Sequence, residues 1–340
     1  MSKKSIIIGL ASLLVVATIA LLVVLRMEGS ACGTEQGGGF KIIRYDRLVE
    51  DYAATGNVAL WQRLNTEFPL ETQALVENVL RLGPIDAEGI EDSLCAFYAS
   101  PSMHRLRTDV SRRFEDLSDI ERPLGEAFCR LSQELPSFVV PKVYTQISAF
   151  NESVVVGDSL IGISLDKYMG ADYPLYAKCF YANQRATMVP GRIVQDCLLF
   201  YLNQLSRPKR PDGQGETLLD CMLQQGKLNW IVAHVTHKPL VNVAAVTPAT
   251  KSWYKSNERR VWQILCQRNL LASTDAALIH AVVYSADARP YFSDPYSRGV
   301  GLWVGMRIVD SYMKRHPEVT LADLFAQTDY AAILRESGFQ

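Results

Sequence analysis

An unbroken apolar run from Ile6 to Leu25, preceded by Lys3 and Lys4, constrains this chain more than any other feature. At about 1.5 Å per residue, a helix of this length crosses the ~30 Å hydrocarbon core of a bilayer. The two lysines ahead of it and the lone Arg26 behind it favour a cytoplasmic N-terminus, which places the rest of the chain outside the cytoplasm. Gly29-Ser30-Ala31 before Cys32 is a small-residue cleavage pattern of the bacterial lipoprotein kind, although Gly29 replaces the usual leucine. Two tethers fit: a retained helix, or an acyl chain on Cys32. Residues 1–32 are therefore read as signal or membrane segment, 33–39 (GTEQGGG) as flexible spacer, and 40–340 as one extracytoplasmic domain.

Composition narrows the classes. The chain is 48% apolar and 21% charged, with 35 Lys and Arg against 36 Asp and Glu, as in ordinary globular proteins. A pI near 6.5 supplies no basic excess for phosphate contacts, so nucleic acid is not an expected partner. The seven cysteines lie too far apart for a zinc ribbon. Outside the cytoplasm they are permitted disulfides, of unreadable connectivity.

From Phe40 onward the apolar spacing is mainly helical, over 48–52, 59–68 and 70–82, with Gly83-Pro84 closing the third. A helix over 120–135 is predicted, capped by Ser118 or Asp119, with Pro123 in its first turn. Between 143 and 163, β-branched and aromatic residues predict two or three strands, with a hairpin turn at Gly157-Asp158-Ser159 and a corner at Asn151-Glu152-Ser153. The fold class is α+β, mostly helical with a small antiparallel sheet.

The helix after Pro190, GRIVQDCLLFYLNQL, follows that sheet as the HExxH helix does in zinc peptidases. In this layout Gln195 and Leu199 stand at the ligand positions and Asp196 at the general base, while Gln225-Gly226 replaces a downstream Glu-Gly pair. Neither an amide nor an aliphatic group holds zinc as imidazole and carboxylate do. The domain is thus predicted to be a catalytically silent, zincin-like one without metal or cofactor. Gln195, Asp196, Gln225 and Lys227 form its candidate binding cleft. The alternative, an atypical zinc-dependent metallohydrolase, would use His234 and His237 with a carboxylate from elsewhere. A third reading places a ligand among Trp253, Tyr254 and Trp262. Gly301 and Gly305 predict a close helix crossing.

The blocks RYDRLVEDY, VPKVYTQISAFNESVVVGDSLIGISLDKYMGADYPLY, MVPGRIVQD, LLDCMLQQGKLNW, YKSNERRVW and GLWVGMRIVDSYMKRHPEVTLADLFAQTDYAAILRESGF occur in this order between Lys41 and Phe339. Together they resemble the gliding motility lipoprotein family GldB of Bacteroidetes-type bacteria. The resemblance implies a membrane-anchored envelope lipoprotein with an acylated Cys32 and no agreed enzymatic activity. Its expected partners are other envelope or gliding-machinery proteins.

Overall fold

The computed structural model describes residues 39–206, 215–244, 246–284 and 288–339. The apolar run and Cys32 lie outside them. The α-helices of five or more residues are α1 (Tyr45–Thr55), α2 (Val58–Glu67), α3 (Pro69–Gln73), α4 (Ile90–Ala99), α5 (Pro101–Arg113) and α6 (Ser118–Glu134). Three strands follow: β1 (Lys142–Gln146), β2 (Val154–Gly157) and β3 (Leu160–Ser164). Then come α7 (Ile193–Leu205), α8 (Leu218–Thr236), α9 (Pro248–Gln267), α10 (Ala276–Val283), α11 (Val300–Arg315), α12 (Leu321–Ala326) and α13 (Tyr330–Ser337). This is the α+β class, with one contiguous core running from Ile42 to Ile333.

The sheet has the order β1-β3-β2. The hairpin turn falls at Asp158-Ser159 and β2 pairs antiparallel with β3, as the turn residues required. β1, however, pairs parallel with β3, so the sheet is mixed rather than antiparallel throughout. The reason is the excursion from Ile147 to Ser153, which carries the chain across the sheet before the hairpin folds back into the middle. Beyond β1, Ile43 adds a parallel bridge to Tyr144, donating to Val143 O at 2.9 Å and accepting from Thr145 N at 2.9 Å. Tyr144 lies across Gly162, where a Cβ would stand 2.5 Å from the ring. Only glycine admits that ring.

α8 is buried on nearly every side, which explains its run of apolar residues without a clean polar face. A capping box starts it: Thr217 Oγ1 accepts from Asp220 N, and Asp220 accepts from Thr217 N at 2.9 Å. The expected small-residue crossing is real and sits against α11. A Cβ on Gly305 would stand 2.0 Å from Met222 O, and one on Gly226 would stand 2.4 Å from Gly305 C. Backbone therefore packs on backbone, and Gly226, aligned in sequence with a peptidase Glu-Gly pair, serves this contact.

Two local predictions shift. α6 begins at Ser118 itself with no side-chain cap from Leu117, and Asp116 Oδ1 accepts from Ser118 N at 3.0 Å. The predicted helix over 70–82 becomes α3 followed by a π-helical stretch, Ala74–Val79, in which Leu80 N donates to Leu75 O at 2.8 Å.

Candidate functional site

The carboxyl ends of β1 and β3 lie side by side because the pair is parallel. There Gln146 Nε2 donates to Ser164 Oγ at 3.1 Å, both residues being fully buried. Just beyond, Ala149 and Phe150 adopt left-handed φ values of 54° and 70°, costly for residues with a Cβ. Asp166 holds this turn from the next element. Its carboxylate accepts from Ser148 N at 2.8 Å, Phe150 N at 2.6 Å and Ser148 Oγ at 3.1 Å. Complete burial nevertheless raises the Asp166 pKa, outweighing these donors. Lys167 reaches back to Phe150 O at 3.2 Å and sits over the Phe180 ring at 4.4 Å.

Tyr168, at the end of the 3-10 turn Leu165–Tyr168, connects this knot to α7 by donating to Asp196 Oδ2 at 3.0 Å. The other oxygen, Oδ1, takes Arg192 Nη2 at 2.5 Å, an i,i+4 pair. Arg192 Nη1 donates in turn to Val243 O at 2.6 Å. Burial raises the Asp196 pKa, with Arg192 and Tyr168 opposing it. Gln195 is buried beside it, and with its amide turned to the orientation that satisfies both ends, its nitrogen donates to Gly191 O at 2.8 Å and its oxygen accepts from Lys238 Nζ. Burial, then repulsion from Arg192, lowers the Lys238 pKa.

The other half of the predicted cleft has different neighbours. Gln225 Nε2 donates to Asn203 Oδ1 at 3.2 Å, and Asn203 lies eight residues beyond Gln195, about 12 Å along α7. Lys227, 1% exposed, donates to Phe325 O at 3.0 Å and Gln327 O at 2.8 Å and faces the Tyr330 ring. These are carbonyls freed at the end of α12. Burial pushes the Lys227 pKa down to about 8. Gln195 and Asp196, consecutive on α7, thus bond different partners, and Gln225 and Lys227 bond others again.

His234 stacks on Trp230 with ring centroids 5.3 Å apart, and its Nε2 lies 2.9 Å from Glu134. His237 is the left-handed residue ending α8. Among the described residues no three His, Cys, Asp or Glu side chains are grouped to hold a metal. Trp253 lines a hollow of about 110 Å³ with Arg260 and Phe292, while Trp262 is buried edge-on against Phe339.

Asp166, Tyr168 and Arg192 were not singled out from the sequence. The Arg192-Asp196 spacing was a visible signal; the Asp166 amide contacts had none, since its partners lie 16 and 18 residues upstream.

The family model of the gliding motility protein GldB matches residues 34–340, nearly the whole chain and all of the geometry above. The chain belongs to the GldB family. Membership makes it a gliding motility lipoprotein of the cell envelope by family, associated with envelope machinery, and leaves its chemistry open. The GldB match starts two residues after Cys32. No curated protein and no solved structure matches the chain. No helix among the described residues is long and apolar enough to cross a membrane.

Proposed function

We propose that this GldB-family chain is a membrane-tethered, extracytoplasmic protein that acts by docking other envelope components, without catalysis. The observation carrying this reading is the engagement of the polar groups at the predicted cleft. Both oxygens of Asp196 are bonded to Tyr168 and Arg192, and Lys227 is bonded to two carbonyls. A general base must meet a substrate proton directly, whereas each Asp196 oxygen faces a protein donor. Asp196 instead locks α7 to the turn after β3, and Lys227 locks α8 to the segment after α12. Docking then falls to outward surface.

The tether is proposed as an acyl chain on Cys32, with the 6–25 run as its export signal. Growth with a clickable palmitate analogue is expected to label the wild type and not the Cys32→Ala protein. Equal labelling of both would place the acyl chain on another residue, and an unlabelled wild type would return the tether to the apolar run. Photo-crosslinking in intact cells, with the crosslinker spread over exposed positions of the full chain, is expected to capture the same envelope proteins reproducibly. Purified protein that carries near-stoichiometric zinc, loses it in His234→Ala and hydrolyses a peptide until chelated would replace docking by the hydrolase reading.

A further inference from the structure

The chain enters the domain at one particular end of the sheet. Ile43 pairs parallel with Tyr144, so the residues before it run back toward the amino end of β1. Phe40 is seated there, its ring centroid 5.3 Å from that of Phe128, which in turn lies 6.0 Å from Phe138. Because β3 is parallel to β1, the hairpin turn that starts β3 occupies the same end, and Lys142 N donates to Ser159 O at 2.9 Å. The carboxyl ends of both strands, with the Asp166 turn, lie at the opposite end.

Exposed apolar side chains gather where the chain enters. The described residues leave nine large ones exposed, and four of them surround the hairpin turn. Val139, 63% exposed, and its exposed neighbour Val140 lead into β1. Tyr201 fixes them to the turn by donating to Val139 O at 3.3 Å and Asp158 O at 3.2 Å. Leu205, one helical turn beyond Tyr201 on the same face of α7, is also exposed. Leu70, 65% exposed, lines a hollow whose other side is Lys142 and the turn itself. Charge at this end is nearly cancelled: Lys142 pairs with Glu71 at 2.6 Å, Glu67 with Arg63 at 2.9 Å, and Lys41 with Glu121 at 2.8 Å. Asp158 is exposed on the turn. Apolar residues scattered singly over a surface need no cause, but a group of them at one end does.

We propose that this end of the domain rests on the bilayer to which the chain is tethered, with Leu70, Val139, Val140 and Leu205 dipping into the boundary between headgroups and acyl chains. The length of the link decides the occupant. With the acyl chain on Cys32, residues 33–39 are all that separates the lipid from Phe40, and they span at most about 25 Å. A membrane held so near meets this end at a high effective concentration, which compensates for a small contact. Since charge is cancelled, apolar burial carries the contact, and neither anionic lipid nor low salt is required. The Asp166 turn then faces away from the lipid. The inference rests on the acyl tether proposed above.

The test uses the full chain with p-benzoylphenylalanine at one position, reconstituted from detergent into phosphatidylethanolamine–phosphatidylglycerol liposomes, floated on a gradient and illuminated. Lipid adducts are read by mass spectrometry. Positions 139 and 205 are expected to give about tenfold more adduct than position 181. Tyr181 is 80% exposed but follows Phe180, which packs on Phe150 of the Asp166 turn at the far end. The yields are expected to persist in high salt and without phosphatidylglycerol. Val139→Asp combined with Val140→Asp is expected to lower the adduct at 205 about tenfold, with circular dichroism and flotation unchanged. Equal yields at 139 and 181, a yield that needs the anionic lipid or low salt, or an undiminished adduct at 205 in the double variant overturns the proposal. So does capture of protein from position 139 in place of lipid, whether a second copy in liposomes or another protein in cells. A chain that fails to float lacks the tether and takes this inference with it. One that floats without an adduct at 139 keeps the tether and overturns this inference alone.

Discussion

Arg192 is the residue whose removal is the most informative. Arg192→Met leaves the largely enclosed Asp196 with only Tyr168 for company, and breaking a partly buried pair in this way costs about 2 kcal/mol, below the cost for a fully buried one. Urea denaturation at pH 7 is expected to show that loss. Without the guanidinium, the already raised Asp196 pKa rises further. The deficit should therefore shrink as the pH is lowered and the carboxyl takes up a proton. Lys227 gives the opposite case. Its folded pKa of about 8 lies below the ordinary 10.5, so its charge disfavours the folded state and stability rises as pH climbs from 8 to 10.5. Lys227→Met is expected to lack that rise, and to lose about 2 kcal/mol at pH 7 because two carbonyls lose their donor. At this scale the sequence revealed what depends on near spacing. Gly301 and Gly305 declared a helix crossing, whereas Asp166 resembled any turn aspartate until the amides of Ser148 and Phe150 were brought to it.

The α8-α11 crossing is the element-level counterpart. Gly305→Ala must push a methyl group into the Met222 carbonyl, and Gly226→Ala pushes one into the Gly305 backbone. Neither obstacle is a flexible side chain, so each substitution is expected to cost about 2 kcal/mol and lower the melting temperature by several degrees. A melting curve within a degree of wild type for both would mean the helices separate freely. Strand existence was readable from the β-branched runs, and so was the hairpin turn. Strand order was not, because a seven-residue excursion and a tight turn look alike in a period-two pattern, and only tertiary pairing decides which neighbour β1 takes. The π-helical stretch was hidden for a related reason. Its apolar spacing over 74–79 is helical either way, and one shifted hydrogen bond separates the two forms.

For the whole molecule, the silent reading predicts a metal count. Full-length protein purified without added zinc is expected to carry less than about a tenth of an equivalent of zinc, since uncharged amides and a leucine are not the thiolate, imidazole or carboxylate donors zinc takes. The α+β class and the extent of the family match were legible because they draw on the entire chain. Gln195 and Asp196 are neighbours in the chain and share a turn of α7 in any fold, whereas α8 and α12 decide where Lys227 goes, and no periodicity in the sequence announces that contact. The insertion of β3 between two strands made earlier bears on how the molecule is born. During synthesis from the N-terminus, β1 emerges with only the Ile43 bridge along one side, and its other side stays without a strand until residue 164 has left the ribosome. The half-made product is therefore an open strand on a helical stub, and a helper that shields β-prone segments would find its client there.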